Sequence, residues 1–454
     1  MPSPFMSNTP RRRRRRWPWV LAALAVLGAL AALGTYLIFF QEEGDFSNPN
    51  AEFEDTPGAP ARKKPKPERF KWPIYGYTPD RARFLDSAVP PPKKRLWAFK
   101  RSKGLIEFQP VLANGTLFFV NNGGTTYAVN ANNGKRRWKR KVGHLNASSP
   151  AWANGRLFVV TLSGTITALN AKNGKIIWRK RLPSRAESSP IVLNGVVYFG
   201  SENGTVYAYG ARRGRKVWTY HASGAVKGAL AYSNGNLYFG DYSGQVTAVR
   251  AKDGRRVWST GTSGRAFNRS GRFYSTPAVK FGRVYLGNTD SFVYSFVAKS
   301  GQLAWRHKTG GYVYASPAVA SVPRLGPTVF VGSFDGDFYA LDARGGGVRW
   351  QHESSGKIFG APTILGNVVY FSNLAKKNTI GLDVRTGSRV WYFKHGAFSP
   401  VISDGRRIYL TTFRTLFGFG PRGAKKPSHK KKPAGKKKKP THKKKPSAKK
   451  KRAF

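Results

Sequence analysis

Tryptophan recurs through the middle of this chain at an almost fixed interval. Trp97, Trp138, Trp178, Trp218, Trp258, Trp305, Trp350 and Trp391 lie 41, 40, 40, 40, 47, 45 and 41 residues apart. A period of this size marks a repeat architecture, in which each unit buries its apolar face on its neighbours. Seven of the eight tryptophans share a fuller register. Four residues earlier stands a glycine: Gly134, Gly174, Gly214, Gly254, Gly301, Gly346 and Gly387. Seven residues earlier stands a small or branched apolar residue, from Ala131 through Ala343 to Val384. Twelve residues after Trp138, Trp178, Trp305 and Trp350 comes a proline, and Pro110, Pro277 and Pro400 take that role at shifted spacing.

One unit shows the anatomy. Pro150-Ala-Trp-Ala begins a strand and Asn154-Gly155 turns it. Arg156 to Thr161 is a β-rich run, turned by Ser163-Gly164; Thr165 to Asn170 is a third, turned by Asn173-Gly174; Lys175 to Arg179 is the fourth. Asn-Gly between such runs signals a tight hairpin, because that turn needs positive φ. Four short antiparallel strands in about 40 residues make a propeller blade. First strands recur near Pro110, Pro150, Pro190, Leu230, Pro277, Pro317, Pro362 and Pro400, so there are eight. The last unit, through Phe419, lacks a Trp strand, while Leu96-Trp97-Ala-Phe99 is a Trp strand with no blade before it. Joining the two removes open sheet edges, which are pairing hazards. The expectation is an all-β fold: an eight-bladed β-propeller of four-stranded antiparallel blades over 72–420, closed by the N-terminal Trp strand.

The flanks read differently. Residues 17–40, WPWVLAALAVLGALAALGTYLIFF, carry no charge. About 20 apolar residues span a bilayer as a helix, so the segment is expected to be a transmembrane helix. Arg11–Arg16 precede it, and Glu42, Glu43 and Asp45 follow, so the positive-inside rule puts 1–16 in the cytoplasm and everything after residue 40 outside. A cleaved signal peptide has a shorter apolar core, which favours a retained single-pass anchor. Residues 41–71 are rich in Pro, Glu and Lys and are expected to be a disordered tether, and 421–454 a disordered tail of lysine runs broken by proline. The chain carries 79 Lys and Arg against 21 Asp and Glu and has no cysteine. That excludes disulfides, thiol nucleophiles and cysteine-linked lipid anchors, and it points to an anionic partner or surface.

Ala131-Asn-Asn-Gly134…Trp138 and Ala251-Lys-Asp-Gly254…Trp258 resemble the pyrroloquinoline-quinone-type propeller repeat, and Trp72-Pro73-Ile-Tyr75-Gly76 looks like the segment that precedes its first blade. The resemblance covers about 72–420. It implies either a quinoprotein dehydrogenase or a noncatalytic propeller, such as the lipoprotein of the outer-membrane β-barrel assembly machinery, whose eight-unit count the chain also resembles. The dehydrogenases pair the quinone with calcium, an Asp base and, in many members, adjacent cysteines. Calcium wants several oxygen ligands, usually including carboxylates, and the 325 residues from 96 to 420 hold only 12 acids, several in turns. Asp335-Gly-Asp337 with Asp342 reads as turn chemistry. His144, His221, His307, His352 and His395 follow repeat tryptophans at unequal offsets on separate blades, so they read as exposed polar residues rather than metal ligands. No catalytic residue, cofactor or metal is assigned, although a basic funnel leaves quinone binding without catalysis open.

Two units are longer than the rest. One inserts 261–272 after its Trp strand, and the other adds Pro323–Pro327. Insertions into repeats often mark a binding face. Arg265, Phe267, Arg269, Arg272 and Tyr274 are therefore the candidate partner-binding residues. The expected role is a noncatalytic binding or scaffold module in the envelope, with a protein partner. The lysine tail would meet anionic lipid or wall polymers by counterion release, without sequence readout. The alternatives are a quinone-dependent oxidoreductase and a polyanion- or nucleic-acid-binding protein.

Overall fold

Asn114-Gly115, Asn154-Gly155, Asn194-Gly195 and Asn234-Gly235 all take positive φ, as the hairpin reading requires. A computed structural model describes residues 17–39, 44–55, 70–87, 89–92, 94–262, 271–398 and 401–420, with helix side chains described over 20–32. These turns join the first two strands of blades 1 to 4, and the ring holds eight antiparallel sheets, each four strands deep from the channel outward. Blade 1 begins at Val111, and blades 2 to 8 begin at Ala151, Ile191, Ala231, Ala278, Ala318, Thr363 and Val401. These are the starts the prolines and Leu230 mark in the sequence. Blade 8 takes its outer strand from Lys94–Phe99, which pairs Trp97 with Gly418 and Phe99 with Leu416. The N-terminal Trp strand closes the ring.

The repeat tryptophans join the blades. The Trp97, Trp138, Trp178 and Trp218 indoles each donate to the carbonyl of the apolar register residue on the next blade, Ala131, Ala171, Ala211 and Ala251, at 3.0–3.1 Å. Trp258, Trp305 and Trp350 do the same to Ala298, Ala343 and Val384. The ring face lies on the register glycine of that next blade. Gly214 shows why no side chain fits: its φ is +66°, and a Cβ would sit 2.8 Å from Trp178. Each Trp strand also carries a bulge beside the tryptophan, as at Ala168/Leu169 in blade 2. A bulge bends an edge strand and re-aims its side chains.

Trp17–Phe39 forms a helix of 23 residues. Its described side chains cover only 20–32, and no helix among the described residues is long and apolar enough to cross a membrane. Residues 1–16 and 421–454 lie outside the described residues. Part of the span expected as a tether is docked. Phe46 and Ser47 add antiparallel to the outer strand of blade 5, opposite Arg306 and Trp305. Phe53 stacks on Phe281 at 5.7 Å beneath the Arg283 and Arg344 guanidiniums. Asp45 meets His307 at 3.1 Å, and Asp55 pairs with Arg344. Two aromatic rings and two acids give this strap apolar area and counter-charge for a basic edge, which its overall composition conceals.

Candidate functional site

The ring encloses a channel, and one end of it is filled by residues 70–87. This segment walks round the wall, adding backbone bonds to one inner strand after another. Lys71 and Trp72 pair with Ala113 and Leu112 of blade 1. The carbonyls of Pro73, Pro79, Asp80, Ala82 and Arg83 then accept from Trp152, Tyr232, Val279, Val319 and Ile364, on blades 2, 4, 5, 6 and 7. Arg81 and Arg83 are fully buried at its centre. Arg81 donates to the Leu230 carbonyl at 2.9 Å, to the Tyr75 carbonyl, and to the Ser189 carbonyl at 3.3 Å. Arg83 donates to Arg81 and Pro317 carbonyls at 2.7 and 3.0 Å and lies over the Tyr75 ring. A buried guanidinium is costly unless its donors are met. Burial, and then the neighbouring Arg83, lower the Arg81 pKa to about 9. The plug ties five or more blades to one another through backbone acceptors rather than ion pairs.

Above the plug the channel opens as a funnel, with a cavity of about 200 Å³ whose floor includes Tyr75. Its wall is one sequence register. The residue three before the repeat proline, or before Leu230, lines the cavity at seven of the eight blade entries: Glu107, Ala147, Glu187, Lys227, Tyr274, Tyr314 and Phe359. The register divides the wall. Blades 1 to 4 present charge and one alanine, whereas blades 5 to 7 present aromatic rings, continued by Phe398 at the entry to blade 8.

On the aromatic side, Tyr314 stacks on Phe359 at 5.4 Å and meets Phe334 at 4.8 Å, and Tyr274 touches Tyr314 and Phe359 edge-on. On the charged side, Lys227 pairs with Glu187 at 2.6 Å and Glu202 at 3.3 Å, and the Tyr274 hydroxyl donates to Glu187 at 3.4 Å. Burial pushes the Tyr274 hydroxyl well above its ordinary value, helped by the Glu187 charge, so it stays a neutral donor. Burial also raises Glu107. Arg272 lies over Tyr242 at 5.6 Å and Lys357 over Phe334 at 5.4 Å, so cations rim the mouth.

Of the five residues singled out in the sequence, Arg272 stands exposed at this rim and Tyr274 lines the funnel. Arg265, Phe267 and Arg269 lie outside the described residues. The rest of the wall was missed. The signal is one varied position three before a proline that repeats in every unit but blade 4, and a varied position carries no periodicity of its own. A calcium-bound quinone does not fit these donors. Glu187 is taken by an ammonium and a phenol, and no group of three His, Cys, Asp or Glu among the described residues could hold a metal. The histidines stay apart on separate blades: His221, His307 and His352 lie on outer strands and His144 and His395 just past the ends of theirs, and His307 is buried beside Asp45 rather than exposed as expected. Asp335 accepts from the Tyr339 hydroxyl and its own turn amides, and Asp342 pairs with Arg349 at 2.5 Å.

Solved structures share this architecture. BamB from Moraxella catarrhalis is 16% identical with a TM-score of 0.61, covering 72% of this chain and 99% of that one. A europium-containing methanol dehydrogenase is 14% identical with a TM-score of 0.67, covering 79% and 99%. The quinohemoprotein alcohol dehydrogenase ADHIIG from Pseudomonas putida HK5 is 14% identical, with a TM-score of 0.67 over 78% and 80%. At these identities the likeness is one of fold, and it includes both enzymes and an assembly factor. No curated protein matches the chain. Residues 87–161, 122–321 and 289–417 match the sequence model of one family, so the chain belongs to the family described as outer membrane protein assembly factor BamB.

Proposed function

We propose that the protein is a noncatalytic binding module of the cell envelope whose funnel receives a segment of a protein partner. The observation that carries this reading is the divided wall: aromatic faces from blades 5 to 7 oppose the Lys227–Glu187–Glu202 cluster, with cations at the rim. Aromatic anchors beside fixed polar groups are what protein recognition uses. The same cluster argues against the dehydrogenase reading, because it consumes the carboxylate a calcium ion would need.

The apolar segment 17–40 then serves as a single-pass anchor, with its N-terminus cytoplasmic and the propeller and tail extracytoplasmic. Its length, its missing charges and the six preceding arginines support that orientation. The 421–454 tail adds contact with anionic lipid or wall polymer through charge alone.

The enzyme alternative is tested by mixing the full chain with pyrroloquinoline quinone and calcium, desalting, and recording absorbance and dye reduction with alcohols. The expected result is no retained quinone and no turnover. Retained quinone with dye reduction would overturn the noncatalytic reading.

A further inference from the structure

The charge on the propeller perimeter is not spread evenly. The outer strand of blade 1 reads Arg136-Arg-Trp-Lys-Arg-Lys141, with all five cations exposed. Blade 2 beside it reads Ile176-Ile-Trp-Arg-Lys-Arg181, with its three cations exposed. On the other side, blade 8 begins its outer strand with exposed Lys94 and Arg95. No other outer strand carries more than two cations, and the strap covers that of blade 5. Among the described residues none of these ten cations pairs with a carboxylate. Of the carboxylates nearest in sequence, Glu187 is held by Lys227 at 2.6 Å, Glu107 lines the funnel, and Asp86 is exposed before the blade 8 strand. Self-repulsion of such a cluster is a cost that folding does not require.

The strap shows what this kind of edge accepts. On blades 5 and 6 an acidic, extended segment supplies carboxylates to His307 and Arg344. Among the described residues no such segment covers the outer strands of blades 8, 1 and 2. The last described residue, Gly420, pairs with Lys94 on blade 8, so the lysine-rich sequence 421–454 is joined to the chain at this arc.

We infer that the outer edges of blades 8, 1 and 2 form a track for a flexible linear polyanion bearing phosphate groups. The arc lies on the convex rim of a closed ring. A flat membrane touches such a rim along one blade, whereas a polymer follows it across three. This inference does not rest on the funnel reading, and failure of one leaves the other intact.

Lysine acetylation of the full chain, with and without long-chain inorganic polyphosphate, resolves the contact by residue. Lys139, Lys141 and Lys180 should be slowed at least ~3-fold at low salt and recover as salt rises, while exposed Lys299 on blade 5 is unchanged. The variant Arg136→Gln/Arg137→Gln/Lys139→Gln/Arg140→Gln/Lys141→Gln should lower the slope of log affinity against log salt by about 3.5, from roughly 0.7 for each of its lost contacts. Protection confined to the tail, or an unchanged slope, overturns the track. Protection of the arc by vesicles of phosphatidylglycerol and phosphatidylcholine in equal parts, but not by polyphosphate, overturns it in favour of a membrane surface.

Discussion

The Trp391 indole donates to the carbonyl of Pro92 at 3.0 Å, across 299 residues of sequence. This bond locks blade 7 to the strand that completes blade 8, and it departs from the pattern of the other joints. Elsewhere the acceptor stands seven residues before the next tryptophan, whereas Pro92 stands five before Trp97, with no register glycine. Trp391 leans instead on Phe393, Phe419 and Tyr370. Trp391→Phe removes the donor and keeps a ring, so it should cost about 1 kcal/mol. Trp391→Ala should cost about 3 kcal/mol or more. Denaturant unfolding of both variants checks this; equal stability to the parent would show that the ring is closed by strand pairing alone.

A hairpin glycine and a register glycine should separate two kinds of strain. Gly155 and Gly214 both hold positive φ, but a Cβ meets nothing within 4 Å at Gly155 and lies 2.8 Å from Trp178 at Gly214. Gly155→Ala should cost about 1 kcal/mol from the backbone alone, and Gly214→Ala clearly more, because the interblade contact must open. Comparable losses in thermal unfolding would mean that the tryptophan yields freely.

Lys227 holds two carboxylates on the funnel wall. Burial acts to lower its pKa, but bonding to Glu187 and Glu202 outweighs that and holds the ammonium above its ordinary value of 10.5. A raised folded-state value means the stabilisation is complete below the ordinary lysine range and is lost as pH rises through the folded value. Lys227→Met should therefore destabilise the protein at neutral pH by about 2–3 kcal/mol, leaving Glu187 buried without its cation. The gap between parent and variant should narrow above pH 10.5. A gap that is constant with pH would assign the effect to packing.

The strap should come off without unfolding the ring. Phe53→Ala removes the ring held between Phe281 and two guanidiniums. Hydrogen exchange should accelerate at Asn48 and Glu54, whose amides donate to Ala304 and Phe281 carbonyls. The global melting temperature should hardly move, because local opening draws on few buried contacts. Unfolding of the whole protein together with the strap would show that the two form one cooperative unit.

Blade number, strand order and the closing strand were legible because they rest on period and turn chemistry, which are local. Asn154-Gly155 and Gly174…Trp178 each announce their geometry within a few residues. Arg81 and Arg83 were not legible. Nothing near them in sequence says that, besides Tyr75 and Arg81, their acceptors lie on blades 3, 4 and 6, more than 100 residues away. The strap was hidden for a related reason: Phe53 stands among prolines and acids, and only Phe281 with the Arg283 and Arg344 guanidiniums gives its ring somewhere to pack. The funnel wall was half legible. Tyr274 and Arg272 drew notice through the insertion, while Tyr314, Phe359 and Lys227 stood at the same offset from Pro317, Pro362 and Leu230 without one.

The central claim is that the funnel mouth takes a protein partner. Tyr312 is 52% exposed beside Tyr314, and Asn154 is exposed at the turn that ends the first strand of blade 2, on the other face of the ring. A photo-crosslinking residue placed at each position, in intact cells carrying the full chain, reads the two faces separately. A discrete crosslinked species from position 312, lost on Phe359→Asp and absent from position 154, is the predicted result. No adduct from position 312, or the same adducts from both faces, would contradict the account.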